Sequence, residues 1–179
     1  MARWIYVDVS NLWIEGQKLS AVERGWARDI READQDRIFD YDYRLSFPAL
    51  AGFLTDAGTV PHARMVLFGS RTLGNEPVWQ AAVAAGFEVI VPQRGYSGGE
   101  KRVDTSLVVQ MCRDAYRRAA PADSLALVAG DADYEPAVRQ LVADGNWVDV
   151  VFWRHASGLL RQAASRFTEM DEHLRTVGR

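Results

Sequence analysis

The chain is short of cysteine, of lysine and of long apolar runs. Its single cysteine, Cys112, excludes an internal disulfide and a cysteine-based zinc site, and it favours a reducing, cytoplasmic compartment. Lys18 and Lys101 are its two lysines, so nearly all of the positive charge is arginine. No apolar run is long enough to cross a membrane, and the run at 4–9 is too short for a signal-peptide core.

What remains is ordinary for a globular protein. The 179 residues are 48% hydrophobic and 25% charged, which suits a single domain over 1–179. The net charge of −3 argues against binding nucleic acid through bulk charge alone. Residues 16–44 are rich in charge and poor in apolar positions, so we predict a surface excursion with some helix there. That excursion is a candidate lid, insertion or homodimer interface.

Apolar runs and helical periodicity alternate along the rest of the chain. The predicted strands cover 3–9, 63–68, 87–91, 125–129 and 147–152. The predicted helices cover 45–57, 76–85, 102–119, 134–144 and 157–165, with one more in the tail from 167. This alternation predicts an α/β fold, a Rossmann-like three-layer α/β/α sandwich with a mostly parallel central sheet.

Four aspartates stand where these strands end or these helices begin. They are Asp8, Asp104, Asp131 and Asp133. The carboxyl ends of parallel strands face one crevice, and acids that gather there repel one another unless a cation lies among them. Oxygen ligands suit Mg²⁺ or Mn²⁺. The pattern therefore predicts metal-assisted chemistry on a phosphate.

Each polar residue at this edge also has a purely structural interpretation. Backbone N–H groups of the next turn could donate hydrogen bonds to Asp8. Burying an unpaired carboxylate costs roughly several kcal/mol, however, and a residue kept at that cost more often has a functional role. Asp104 could serve as a favourable charge at a helix N-terminus, and Asp133 as the cap of the next helix. Asp131 has no such explanation. Asn11 is a favoured N-cap that could also reach a metal-bound water or a phosphate.

Positive residues near the acids are candidates for substrate binding. Arg94, Lys101 and Arg102 flank the acids in sequence, although Lys101 could equally be a solvated loop charge. Tyr134 could stack on a base or simply pack in the core. The histidines do not group with the acids and receive no role; they are His62, His155 and His173.

Three motifs, taken together, resemble the NYN domain family of the PIN-like nuclease superfamily, whose bacterial branch is often called LabA-like. The motifs are Val7-Asp8-x-x-Asn11, Lys101-x-Val103-Asp104 and Gly130-Asp131-Ala132-Asp133-Tyr134-x-Pro136. The resemblance covers nearly the whole chain and implies a Rossmann-like fold and metal-dependent RNA cleavage. It further implies a Mg²⁺ or Mn²⁺ site and an assisting amide; these residues are Asp8, Asp104, Asp131, Asp133 and Asn11.

The sequence departs from the family pattern at one place. Many relatives carry a further acid about two turns into the long helix, where this chain has Gln110, and its next acid is Asp114. This keeps open a weak or inactive relative that acts as an RNA- or protein-binding module.

Other phosphate-handling folds fit less well. A haloacid dehalogenase-type phosphatase needs an acid where Ser10 stands, and a TOPRIM-type site needs a glutamate where Asp8 stands. No Gly-x-Gly-x-x-Gly follows the first strand, which argues against a dinucleotide-binding enzyme. We predict a metal-dependent ribonuclease that acts on single-stranded RNA, away from membranes.

Overall fold

The computed structural model describes residues 2–69, 76–91 and 99–179, and at 99–102 it describes the backbone alone. The strands are β1 (Arg3–Asp8), β2 (His62–Phe68), β3 (Glu88–Ile90), β4 (Ser124–Val128), β5 (Trp147–Phe152) and β6 (Arg166–Glu169). The helices are α1 (Val9–Glu23), α2 (Ile30–Gln35), α3 (Phe47–Leu54), α4 (Glu76–Ala84), α5 (Gly99–Arg117), α6 (Glu135–Ala143), α7 (Gly158–Ala163) and α8 (Leu174–Val177). Among the described helices, none has the length and apolar character needed to cross a bilayer.

In the described part of the chain, the six strands form one sheet in the order β3-β2-β1-β4-β5-β6. Every neighbouring pair is parallel. The chain moves outward from β1 in one direction through β2 and β3, and in the other through β4, β5 and β6. The order therefore reverses between β1 and β4, which is where open α/β sheets bind ligands. The predicted three-layer α/β fold is confirmed.

Both faces of the sheet are buried, as the alternation of side chains along β1 illustrates. Ile5 and Val7 face one apolar core, which they share with α1, α3, α4 and α8. Tyr6 faces the other core, which is filled from α5, α6 and α7. A strand that is covered on both faces is apolar throughout, which is why the parallel strands were recognisable as continuous apolar runs.

The structure differs from the sequence prediction in two segments. Residues 166–169 form the edge strand β6, paired with β5, where the tail with its predicted helix was expected to begin. The tail also contains a helix, the short α8 at Leu174–Val177. Residues 16–23 continue helix α1, and 30–35 form α2, so much of the predicted excursion is regular helix. The helical face was hard to recognise because its buried residues include the polar Lys18 and Ser20.

Candidate active site

An open cavity lies at the switch between β1 and β4. Its volume is about 200 Å³, and four of the residues singled out from sequence line it: Asp8, Asn11, Asp104 and Asp131. We call it the acid cavity. Asp8 ends β1, Asn11 lies in the first turn of α1, and Asp131 follows β4. Residues about 120 positions apart meet because parallel strands end at the same edge.

Asp8 is the most buried acid of this cavity, with 4% of its surface exposed. Its carboxylate caps α1 by accepting a hydrogen bond from the backbone N–H of Asn11 (3.1 Å), and it accepts another from the Tyr134 hydroxyl (2.8 Å). Burial raises the pKa of Asp8 to about 6, against the lowering effect of these hydrogen bonds; the nearby Asp104 raises it further. Asp8 is thus a carboxylate that lacks a compensating cation among its described contacts.

Tyr134 joins two of the acids through one hydroxyl group. The side chain is fully buried, and its oxygen lies 2.8 Å from Asp8 Oδ2 and 3.1 Å from Asp104 Oδ1. The pKa of Tyr134 is strongly raised, first by burial and then by the two carboxylates. Tyr134 therefore remains a hydroxyl that orients both acids, and its burial excludes the base-stacking role considered from sequence.

Asn11 ties the first helix to the end of the fourth strand. Its side-chain oxygen accepts a hydrogen bond from the backbone N–H of Gly130 at 2.8 Å. Capping of the first helix was one of two compatible roles predicted for Asn11, and in the structure Asp8 is the cap. The amide side chain is thereby free to span from α1 to the residue that follows β4.

The paired aspartates after β4 take different positions. Asp131 is exposed, lines the acid cavity, and caps the short 3-10 turn Ala132–Tyr134 by accepting from the backbone N–H of Asp133 (3.0 Å). Capping of the following helix was one alternative for Asp133, but the N-cap position of α6 is held by Tyr134. Asp131, for which no structural role was predicted, caps the short turn instead. Asp133 is exposed and is not among the described residues that line the cavity.

Asp104 lies deeper in its helix than the sequence suggested. Helix α5 begins at Gly99, more than one turn before Asp104. The helix-terminus interpretation is therefore weaker, since the dipole effect falls off within the first turn.

The predicted substrate-binding cations lie largely outside what the structure describes. Arg94 is outside the described residues, and Lys101 and Arg102 lie in α5 with only their backbone described. Their role stays a prediction.

Asp114 does not take the place of the acid that many relatives have at the position of Gln110. Asp114 is fully buried and accepts hydrogen bonds from Tyr6 Oη (3.0 Å), Arg64 Nη1 (2.8 Å) and Gln110 Nε2 (2.9 Å). It is not among the described residues that line the acid cavity. It forms a buried, paired network against β1 and β2, and Gln110 is a partner in that network.

The donors of the acid cavity suit a hard cation held by few protein ligands. Among the described side chains, no three His, Cys, Asp or Glu residues lie close enough together to hold a metal ion as they stand. Mg²⁺, however, is usually bound through one or two carboxylates while it keeps several waters. Asp8 and Asp104, whose carboxylates both contact the Tyr134 hydroxyl, could supply such a pair. A metal site formed by all four aspartates stays a prediction.

Two polar residues beside the acid cavity were missed by the sequence analysis. Glu15 lines the cavity, and its Oε2 lies 2.8 Å from Nε2 of His155. Burial raises the pKa of Glu15, but hydrogen bonds from His155 and Lys18 outweigh this and lower it overall. Both residues left a signal: Glu15 is four residues after Asn11 on one helical face, and His155 follows the end of β5.

Comparison with known proteins agrees with this architecture. A solved structure of a protein of unknown function from Vibrio parahaemolyticus is 17% identical to the chain, with a TM-score of 0.67, and the match covers 96% of this chain and 93% of that one. At this identity the likeness shows the fold alone. No functionally curated protein matches the sequence significantly. The NYN domain family model matches residues 4–171, which confirms the resemblance that the three motifs indicated. The chain therefore belongs to the NYN domain family, a family of PIN-like nucleases.

Proposed function

We propose that this protein is a metal-dependent ribonuclease that hydrolyses phosphodiester bonds of single-stranded RNA in the acid cavity. The observation that carries the proposal is the pair Asp8 and Asp104 on the single hydroxyl of Tyr134, at the switch point of the sheet. A buried carboxylate beside a second acid is costly unless a cation joins them. Membership of a nuclease family agrees with such a site.

Each residue of the cavity has a role in this proposal. Asp8 and Asp104 would hold Mg²⁺ or Mn²⁺, and Asp131, which also lines the cavity, would add a further oxygen ligand. When bound, the metal supplies Lewis acidity at the phosphate and lowers the pKa of an attacking water. Asn11 holds the loop after β4 in place, and Tyr134 orients the two carboxylates.

The remaining predicted residues belong to the rim of the site. Asp133 is exposed, and we propose that it reaches the metal or its waters from outside the cavity, so that its replacement has the smallest effect of the four aspartates. Arg94, Lys101 and Arg102 are proposed to neutralise RNA phosphates.

The decisive experiment is cleavage of labelled single-stranded RNA with Mn²⁺ or Mg²⁺, and with EDTA. We expect EDTA to abolish cleavage and Asp8→Asn to reduce it about 100-fold or more. The matched control is Asp144→Asn, which replaces an aspartate on the surface at the end of α6 and should retain full activity. Cleavage that persists in EDTA or in Asp8→Asn would contradict the proposal.

A second function is favoured by one observation. Gln110 stands where many relatives have an acid, and it is engaged with Asp114 instead of the acid cavity. A binding module that kept the fold but not the activity would bind RNA and show no metal-dependent cleavage. Its RNA affinity would be unchanged by Asp8→Asn. Measuring RNA binding alongside cleavage separates the two functions.

A further inference from the structure

A second cavity, of about 540 Å³, adjoins the acid cavity. The two share a wall formed by Asn11, Glu15 and Asp131. Beyond that wall, the second cavity is lined by residues of α2 and by residues at and after the end of β5, among them Arg31 and His155. We call it the side cavity. It opens at the same sheet edge as the acid cavity, so an extended ligand could occupy both.

The sizes of the two cavities suit different parts of a nucleotide. The acid cavity, at about 200 Å³, has room for a phosphate with its ion and waters, but it is small for a nucleoside. The side cavity, at about 540 Å³, falls within the roughly 300–1,000 Å³ range of small-molecule sites. A strand whose phosphate lies among the acids would therefore place an adjacent nucleoside in the side cavity.

The polar groups between the cavities are already held in place. Lys18 Nζ lies 2.7 Å from Glu15 Oε1 and 2.6 Å from Asp34 Oδ1, and His155 contacts the other oxygen of Glu15. The charge of Lys18 is thus offset by two carboxylates and is not available to a phosphate. These ion pairs give the side cavity an ordered polar floor, which suits the ribose and base edges of a nucleoside.

Arg31 is the cation of this cavity that is not already engaged. It lies on α2, is exposed, and its guanidinium has no hydrogen-bond or ion-pair partner among the described residues. Arg31 lines the side cavity but not the acid cavity. The planar guanidinium matches the geometry of a phosphate, so Arg31 is placed to bind one beyond the nucleoside.

We infer that the side cavity is the subsite for the nucleoside next to the scissile phosphate, and that Arg31 binds the following phosphate of the strand. The inference rests on the proposed function in that its ligand is RNA. A nucleoside that enters a cavity must be unpaired and unstacked. The side cavity therefore selects single-stranded RNA over duplex.

The test measures binding rather than cleavage, in EDTA and with Asp8→Asn protein throughout, so that no RNA is cut. A fluorescently labelled eight-nucleotide single strand and the same strand in a duplex are titrated by anisotropy over a range of salt concentrations. Arg31→Ala is introduced into this Asp8→Asn protein, and Arg28→Ala is introduced separately as the control. The Arg28 side chain is 80% exposed and lines neither cavity.

We expect Arg31→Ala to weaken single-strand binding about tenfold. It should also reduce the slope of log affinity against log salt by about 0.7. Arg28→Ala should change affinity less than about twofold, and duplex binding should be the same for both variants. Equal effects of the two variants, or an equal loss on duplex, would overturn the inference. Failure of the nuclease proposal would be seen only in metal-dependent cleavage, so the two outcomes are distinguishable.

Discussion

Asp8 shows at the scale of one residue how a functional group can work against stability. The carboxylate ends a strand that is buried on both faces, and its pKa is raised to about 6 chiefly by that burial. The folded chain therefore binds the Asp8 proton more tightly than the unfolded chain, for which the value is 3.8. The free energy of unfolding must consequently fall as pH rises between these values and stay reduced above them.

Replacing Asp8 by asparagine should stabilise the protein while it removes activity. Asparagine keeps an oxygen for the Asn11 N–H and is an equally good N-cap. Its NH2 group replaces the oxygen that accepts from Tyr134, and it can instead donate to the Tyr134 hydroxyl. In EDTA at pH 8 we expect Asp8→Asn to raise the free energy of unfolding by about 3 kcal/mol. Denaturant unfolding from pH 4 to pH 8 measures this, and the gain should vanish near pH 4. A gain that is constant over the whole pH range would contradict the assignment.

The hydroxyl of Tyr134 should determine how well the cavity binds a metal ion. Tyr134→Phe removes the donor that orients Asp8 and Asp104, so the Mn²⁺ concentration for half-maximal cleavage should rise about 10- to 100-fold. Tyr6→Phe is the matched control, because Tyr6 donates to another buried acid, Asp114, outside the acid cavity. Both variants should lose about 1–3 kcal/mol of stability. Unchanged metal dependence in Tyr134→Phe would show that its role is packing alone.

Elements were predictable from sequence where hydrophobic patterning decides them. The five strands found from apolar runs lie inside the sheet or at its β3 edge, where the runs face apolar cores. β6 was missed because it is a four-residue edge strand, Arg166–Glu169, whose two ends are charged. Helix α1 was not delimited from the sequence because its second half buries polar side chains, notably Lys18, whose charge is paired with Glu15 and Asp34.

The junction after β4 is packed so closely against β5 that it requires glycine at position 130. A Cβ on Gly130 would lie 2.2 Å from the ring of Phe152 at the end of β5. Gly130→Ala should therefore push β4 and β5 apart at the loop that carries Asp131. We expect it to lower the free energy of unfolding by about 1–3 kcal/mol and to reduce cleavage activity. Gly52→Ala, in α3 with open space around it, should instead stabilise by about 0.5–1 kcal/mol. Thermal unfolding and cleavage of both variants test this, and a neutral Gly130→Ala would contradict the packing argument.

The acid cavity lies at the carboxyl ends of the strands, and the buried acid Asp149 pairs with residues at the starts of β1 and β6. Asp149, near the start of β5, is paired with Arg3 and with Arg166 (2.6 Å), and it accepts from Thr168 at 2.9 Å. These charges stabilise the strand register far from the sheet edge that carries Asp8. Stability and activity should therefore be separable.

Asp149→Asn tests that separation. It leaves the half-buried Arg3 and the exposed Arg166 without their charged partner and should cost about 1–3 kcal/mol. Metal-dependent cleavage should persist at temperatures where the variant remains folded. Glu169→Gln, which breaks the exposed pair with Arg154, should cost at most about 1 kcal/mol. A loss of activity in Asp149→Asn well below its melting temperature would contradict the separation of the two sites.

The sequence alone was enough to predict the α/β class, the succession of five strands along the chain, the family and the candidate acids, because apolar periodicity and short motifs are local. It did not determine the strand order of the sheet, which follows from how long crossovers pack, nor which acids share a partner. The packing of the folded chain brought Tyr134 between Asp8 and Asp104, made Asp131 the cap of the turn Ala132–Tyr134, and set Glu15 and His155 beside the cavity. Each of these depends on contacts between residues far apart in the chain.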